Sequence, residues 1–348
     1  MTQLTATIVD GEQTVETPAR IDGPTLVIDG DDLERATGWH LESQGLCRGD
    51  VCVPARDRAA LEVEGGVSLR EVARLLGRPL AVELGGDPVA VLGEPGETYD
   101  RSHTHRDAPA FTLPDIDGSP VALDDFAGRK RVIVAWAPWC GCRYDLPVWD
   151  ALQAELGDDV AVISIALEED PAEARRWARD ELPEALSYPV LVDRDHVVAE
   201  RYGITNVPMT VWIDEDGKIV RPPLMAPGDD QFRDFTKIDS SLHHDALRKW
   251  VRDDVAPLSD DELEERHTEP TPELQAARTE RRLAMYLLRA DRPADAERHL
   301  AAALELAPDD FTIQRGTMPL RGEDPFGDAF FEFWEAWDAR GRPGYASA

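Results

Sequence analysis

The chain has 348 residues, 42% of them hydrophobic, which is enough for two or three domains with packed cores and argues against global disorder. Acidic residues outnumber basic ones by 69 to 37 and give a formal net charge of −32, which argues against nucleic acid and anionic membranes as partners. Long apolar runs are absent, and MTQLTATIVDGEQ has neither a basic nor an apolar region, so we expect a cytoplasmic protein without a membrane span or signal.

Residues 1–90 alternate short apolar runs with Gly, Asp and Pro turns, which predicts a small α+β module. An internal repeat supports this interpretation. LERATGWHL (33–41) and VARLLGRPL (72–80) share an apolar start, an arginine, a glycine and a final leucine at an offset of 39 residues. Each copy predicts a short helix that ends at glycine before the chain enters a strand.

Cys47 and Cys52 flank a predicted turn in GLCRGDVCVP, where a local disulfide or thiol pair is plausible. In a cytoplasmic protein, paired cysteines indicate redox or metal chemistry more often than structural bridges. Two interpretations stay open. The pair is an accessory dithiol that exchanges electrons with a second pair, Cys140 and Cys142, or it is two small buried apolar side chains.

Residues 91–107 are rich in Gly, Pro and charge and form the predicted linker between domains. This segment contains His103 and His105, but no third or fourth ligand follows at a spacing that suits a metal. We therefore interpret both histidines as solvated and expect no metal.

Residues 108–255 alternate predicted strands and helices. VIVAWA (132–137) is uncharged and rich in β-branched residues, which predicts a buried strand. The elements that follow are a helix (143–156), a strand (160–167), a helix (171–182), a strand (188–193), a helix (197–204), a hairpin around 215–217 and a helix (241–253). This alternation indicates a partly parallel sheet with helices on both faces.

Residues 271–341 are predicted to be helical and to begin with a helical hairpin. The second helix spaces its alanine, leucine and proline residues as in the second half of a tetratricopeptide repeat. Since one repeat cannot bury its own apolar face, we expect the hairpin to pack on the middle domain or to self-associate. The aromatic helix FFEFWEAWDARG (330–341) could supply further cover, with partner binding as the rival interpretation.

The candidate site is WAPWCGCRYDLP (136–147), which follows the buried strand. A cysteine on the first turn of a helix lies near unpaired backbone N–H groups and the positive end of the helix dipole, and both favour the thiolate. Arg143 adds a positive charge. Cys140 is therefore the predicted nucleophile, and Cys142 the residue that resolves a mixed disulfide.

Residues 108–147 and YGITNVPMTVWIDEDGKIV (202–220) together resemble the thioredoxin-like redoxins. This family includes the alkyl hydroperoxide reductase/thiol-specific antioxidant proteins and the thioredoxins of cytochrome c maturation. The resemblance implies a thioredoxin-like α/β domain, flanked here by the α+β module and the helical region. It implies a reactive cysteine pair and no further cofactor.

The same resemblance implies roles for other residues of the site. Pro208 matches the family's cis-proline, which leaves the backbone of Val207 free to pair with an extended substrate. Trp139 would shield the site and offer a flat apolar contact to substrates. Pro147 matches a proline that kinks the active-site helix.

The spacing departs from the family pattern Trp-Cys-x-x-Cys-Arg, because only Gly141 separates the two cysteines. Cysteines two positions apart still fall inside the window of roughly 4.4–6.8 Å between Cα atoms that a disulfide allows. The smaller ring is more strained, so we expect a more oxidising pair than that of thioredoxin. Gly141 would help by adopting backbone angles that other residues resist.

Thiol–disulfide exchange with protein or small-molecule thiols, supported by an unidentified reductant, is the expected function. A thiol peroxidase is an alternative, but Pro138 is followed directly by Trp139 and no Thr or Ser matches the peroxiredoxin pattern. Further alternatives are a site for a soft metal on the two thiolates and a redox-inactive protein that keeps the fold for binding.

Overall fold

The computed structural model describes residues 4–94, 106–266 and 269–343. The chain folds as two compact units, Met1–Glu97 with Pro270–Ala307 and Thr98–Glu269 with Pro308–Ala348. Most of the predicted linker, including His103 and His105, lies outside the described residues. Within those residues, no helix is both long enough and apolar enough to cross a membrane.

The N-terminal part of the first unit is a mixed α/β structure. Its elements are β1 (Leu4–Asp10), β2 (Gln13–Asp22), β3 (Thr25–Ile28), α1 (Gly30–Thr37), β4 (His40–Glu42), β5 (Gly45–Arg48), β6 (Val51–Pro54), α2 (Arg58–Leu61), β7 (Glu62–Val63), β8 (Gly66–Ser68), α3 (Leu69–Leu75), β9 (Leu80–Glu83) and β10 (Val89–Leu92). Seven strands form one sheet in the order β7-β8-β3-β2-β1-β10-β9. Strands β4, β5 and β6 form a second, antiparallel sheet.

The internal repeat has the local structure that the sequence predicts. Helix α1 ends at Gly38, with φ of 71°, and α3 is followed by Gly77, with φ of 61°. This left-handed backbone is strained for residues that carry a Cβ atom, which explains the glycine in each copy. The chain then enters a strand in both cases, β4 and β9.

The second unit contains a five-stranded sheet with helices. Its elements are β11 (Thr112–Pro114), β12 (Pro120–Ala122), β13 (Lys130–Trp136), α4 (Leu146–Leu156), β14 (Val160–Ala166), α5 (Pro171–Arg175), β15 (Val190–Val192), α6 (Val197–Tyr202), β16 (Met209–Ile213), β17 (Ile219–Met225), α7 (Arg233–Thr236), α8 (Ser240–Asp253) and α9 (Asp260–Glu265). The strand order is β15-β14-β13-β16-β17, with β13 parallel to β14 and antiparallel to β16. This is the partly parallel sheet predicted for a thioredoxin-like domain.

The central strand β13 is buried along its whole length. A strand covered on both faces reads as a continuous apolar run, which is why VIVAWA could be recognised in the sequence. Two predicted helices differ from expectation. The helix predicted over 143–156 begins as a 3₁₀ turn (Gly141–Asp145), and the helix predicted over 171–182 continues beyond Arg175 as a π-helical turn (Arg176–Asp180).

The predicted helical region is divided between the two units. Helices α10 (Pro272–Arg289) and α11 (Pro293–Leu306) form the hairpin, and α10 contacts β9 and β10. The sequence predicts that the hairpin packs on the middle domain or self-associates. It packs on the sheet of the first unit, and self-association stays a prediction. The hydroxyl of Tyr286 lies 3.2 Å from that of Thr7 on β1. A single hairpin that packs on a sheet gives no support to the tetratricopeptide interpretation.

The last two helices, α12 (Phe311–Gln314) and α13 (Asp328–Ala339), belong to the second unit. Their aromatic side chains pack together with Phe235, whose ring is stacked on Trp334 at 4.0 Å between centroids. Phe311 and Trp337 are buried in this cluster. The aromatic helix therefore covers part of its own thioredoxin-like unit.

Candidate active site

Cys140 lies where the chain leaves β13 and turns into the 3₁₀ turn. Its backbone is extended and its side chain caps the turn, with Sγ accepting a hydrogen bond from the N–H of Cys142 at 3.2 Å. The same Sγ lies 3.6 Å from the carbonyl oxygen of Val207. The sulfur thus lies at the N-terminal end of a helical turn, where backbone N–H groups stabilise negative charge.

The two cysteines are free thiols and are both buried, with exposed fractions of 5% for Cys140 and 4% for Cys142. Gly141 separates them without the left-handed backbone that would require glycine. The reason for glycine is space, because a Cβ atom at this position would lie 2.6 Å from the ring of Phe232. The expectation that Gly141 adopts unusual backbone angles concerns the smaller disulfide ring, and with both cysteines free it stays a prediction.

The environment of the pair shifts the two thiol pKa values in opposite directions. Burial is the largest influence on the pKa of Cys140 and raises it. The hydrogen bond from the Cys142 thiol, the charge of Arg315, the Cys142 N–H and the charge of Arg143 together outweigh burial and lower this pKa to about 7. Burial and the hydrogen bond with Cys140 raise the pKa of Cys142 well above its ordinary value.

Asp145 is a buried carboxyl group next to the pair that the sequence reasoning missed. It is 3% exposed, and its Oδ2 accepts a hydrogen bond from the N–H of Gly228 at 2.9 Å. Burial raises the pKa of Asp145 to about 8, although the Gly228 N–H opposes this shift. Its charge in turn raises the pKa of Cys142. The available signal was an acidic residue three positions after Cys142, on the same side of a tight helical turn.

Arg143, which was predicted to add a positive charge to the site, lies in the active-site turn. Its Nη1 donates to the carbonyl oxygen of Pro138 at 2.5 Å, which ties the residue to the segment before Cys140. Its guanidinium carbon lies 3.9 Å from the centroid of the Trp177 ring and 4.8 Å from that of Tyr144. Aromatic rings thus hold the cation in place beside the turn.

The peptide bond between Val207 and Pro208 is cis. Val207 is buried, and its N–H donates to the side-chain oxygen of Asn206 at 2.8 Å. The Val207 backbone, predicted to pair with an extended substrate, therefore has contacts within the chain on both its N–H and its carbonyl.

Trp139, predicted to shield the site and to offer a flat apolar contact to substrates, is also buried. A Cβ atom on Gly316 would lie 3.2 Å from its ring, and the Arg315 guanidinium carbon lies 5.9 Å from its centroid. The flat apolar surface predicted for substrates is thus covered by the C-terminal part of the same unit.

Pro147 lies in the first turn of α4, where its missing N–H has no helical partner to lose. It lies at the change from the 3₁₀ turn to the α-helix, and the implied kink stays a prediction.

Cys47 and Cys52 form a disulfide that joins β5 to β6, with 4.1 Å between the Cα atoms. Cys47 is buried and Cys52 is exposed. The interpretation as two buried free thiols is therefore wrong. The exchange of electrons with Cys140 and Cys142 stays a prediction.

No group of three or more His, Cys, Asp or Glu side chains within the described ranges could hold a metal ion.

Comparison with known proteins places residues 104–234 in the Redoxin family model. Thioredoxin-like protein YneN of Bacillus subtilis (strain 168) is 32% identical over 116 residues, which are 32% of this chain and 66% of YneN. Thiol-disulfide oxidoreductase ResA of Bacillus thuringiensis subsp. konkukian (strain 97-27) is 25% identical over 118 residues, 33% of this chain and 66% of ResA. The chain thus spans just under two thirds of both relatives.

Peroxiredoxin Bcp of Escherichia coli (strain K12) is 32% identical over 157 residues, which are 42% of this chain and 93% of Bcp. The Redoxin match over 104–234 includes the turn that carries Cys140 and Cys142 and the cis-proline strand. Since the similarity to Bcp covers nearly all of that protein, the chain belongs to the redoxin family of thioredoxin-like proteins.

Proposed function

We propose that the chain is a thiol–disulfide oxidoreductase in which Cys140 and Cys142 cycle between dithiol and disulfide. One observation carries this proposal: Cys140 Sγ caps the active-site turn and accepts a hydrogen bond from the Cys142 N–H at 3.2 Å. This environment lowers the pKa of Cys140 to about 7 and raises that of its neighbour Cys142. Near neutral pH, about half of Cys140 is then thiolate, while Cys142 keeps its proton until it is needed. ResA and YneN, named as oxidoreductase and thioredoxin-like protein, support the same class of reaction.

In the first step, the Cys140 thiolate attacks one sulfur of a substrate disulfide. A new bond forms between Cys140 Sγ and that sulfur, the substrate's own sulfur–sulfur bond breaks, and the other half leaves as a thiolate that takes a proton. The backbone N–H of Cys142 and the cation of Arg143 favour the attacking thiolate in this step.

In the second step, Cys142 gives up its proton and attacks Cys140 Sγ, which releases the rest of the substrate as a thiolate. The proton passes to the released thiolate. The substrate has then gained two electrons and two protons, and the chain holds a Cys140–Cys142 disulfide. A dithiol reductant restores the thiols by the reverse exchange.

Reduction of hydroperoxides is a second candidate, favoured by the identity of 32% with Bcp over 93% of its length. The Cys140 thiolate would attack the terminal peroxide oxygen, forming a sulfenic acid and releasing an alcohol. The Cys142 thiol would then condense with the sulfenic acid, forming the same disulfide and releasing water. Both candidates end in the same Cys140–Cys142 disulfide and differ in the oxidant.

Turnover of a small disulfide and of a hydroperoxide, each with dithiothreitol as reductant, tests the proposal on the wild type, Cys140→Ser and Cys142→Ser. We expect disulfide turnover by the wild type and none by Cys140→Ser. Peroxide turnover without disulfide turnover would favour the second candidate. The proposal is wrong if the wild type matches Cys140→Ser with both oxidants and mass spectrometry finds no Cys140–Cys142 bond at any redox poise.

A further inference from the structure

Residues 308–343, here called the C-terminal segment, lie outside the family match at 104–234 but touch both flanks of Cys140. On one flank, the N–H groups of Phe311 and Thr312 donate to the carbonyl oxygen of Thr205, at 2.8 and 3.3 Å, two residues before Val207. On the other flank, Gly316 packs against the Trp139 ring so closely that a side chain there would lie 3.2 Å from it.

Arg315 lies between these two contacts and is held from several sides. Its Nε donates to the carbonyl oxygen of Pro325 at 2.9 Å. Its guanidinium carbon lies 3.9 Å from the Phe330 centroid, 4.8 Å from that of Phe326 and 5.9 Å from that of Trp139. A guanidinium among rings keeps its charge and is poorly screened by water, so its field reaches nearby groups strongly.

We infer that Arg315 is a positioning residue for Cys140: the C-terminal segment holds its guanidinium beside the active-site turn, where it stabilises the thiolate that attacks. This inference rests on the proposed function in one respect, that Cys140 is the attacking sulfur. The inference goes beyond that function because the cation comes from outside the thioredoxin-like core. The reactivity of the Cys140 thiol then depends on a docked C-terminal segment.

The balance of charges around Cys140 supports this role. The titratable and charged groups that act on Cys140 or respond to its charge are Cys142, Asp145, Arg143 and Arg315. Of the two arginines, Arg315 lowers the pKa of Cys140 more than Arg143 does. Burial lowers the pKa of Arg315, while negative charge on Cys140, or on Cys142 once it ionises, raises it. Arg143 lowers the Arg315 pKa and Asp324 raises it.

The test uses the full chain with Arg315→Lys, which keeps the charge, and with Arg315→Gln and Arg315→Met, which remove it. Arg340→Met is the matched control, because Arg340 is an exposed arginine of the same segment that pairs with Asp309. The readout is the rate of iodoacetamide alkylation at Cys140 against pH, followed by mass spectrometry. Near-ultraviolet circular dichroism identifies the variants that keep the wild-type fold.

We expect the alkylation midpoint of the neutral variants to rise by about one pH unit or more, so that the thiolate fraction at pH 7 falls from about half to about a tenth. The lysine variant should stay close to the wild type, and Arg340→Met should match it. A folded neutral variant with the wild-type midpoint overturns the inference. A lysine variant whose alkylation midpoint rises as far as that of the neutral variants also overturns it. The same holds if both neutral variants fail to fold while the lysine variant behaves as the wild type, because either result assigns Arg315 to packing.

Alkylation needs no disulfide substrate, so this test is independent of the proposed reaction. A chain that shows the midpoint shift but no turnover would refute the proposed function and keep the role of Arg315. Normal turnover with an unchanged alkylation midpoint would support the proposed function and refute the role of Arg315.

Discussion

Replacing Asp145 by Asn should make the stability of the second unit much less sensitive to pH. In the folded chain, burial raises the pKa of Asp145 from 3.8 to about 8. The folded state therefore holds a proton that the unfolded state has lost, and each pH unit in between lowers the free energy of unfolding by about 1.4 kcal/mol. The stabilising contribution is complete below pH 3.8 and is lost as the pH rises through about 8.

Between pH 5 and pH 8, this single carboxyl group should lower the free energy of unfolding of the wild type by about 3–4 kcal/mol. The asparagine variant should not show this loss. Asparagine keeps an oxygen for the N–H of Gly228 and has no charge to bury. Urea titrations followed by tryptophan fluorescence measure the difference, because eight of the nine tryptophans lie in the second unit and Trp39 is the exception. Titrating groups on which Asp145 does not act cancel between the two proteins. Parallel stability–pH curves for the two proteins would refute the reasoning.

Three further predictions concern the cysteines and their neighbours. Disulfide exchange should accelerate from pH 6 to 8 with a midpoint near the pKa of about 7 of Cys140, and a rate independent of pH in stopped-flow measurements would contradict this. Gly141→Ala should lower the free energy of unfolding by about 1–3 kcal/mol through its clash with Phe232, and a double-mutant cycle with Phe232→Ala should recover part of that loss. Removing the disulfide with Cys47→Ala and Cys52→Ala should destabilise the first unit by about 2 kcal/mol in thermal unfolding. Exchange by Cys140 should be unchanged, and lost turnover would instead show that this pair relays electrons to Cys140 and Cys142.

The sequence predicts the thioredoxin-like sheet well because its signals are local. VIVAWA is a continuous apolar run, as a strand buried on both faces must be, and the cysteine that follows caps a helical turn. The glycines after α1 and α3 mark helix ends because a left-handed residue is required there.

Other features depend on distant parts of the chain. The role of Gly141 depends on Phe232, and the burial of Asp145 depends on the loop at Gly228. The aromatic helix was recognisable, but an apolar face does not specify the surface that it covers. For the same reason, the position of Arg315 beside the active-site turn could not be predicted.

The central claim is that Cys140 attacks and Cys142 resolves. Its most direct measurement is one round of reaction with 5,5′-dithiobis(2-nitrobenzoic acid), in which absorbance counts the released thionitrobenzoate and mass spectrometry identifies the bonds. We expect the wild type to release both halves of the reagent and to carry a Cys140–Cys142 disulfide, and Cys142→Ser to release one half and keep the other on Cys140. A wild type that keeps a stable adduct, or an adduct on Cys142 in place of Cys140, would contradict the account.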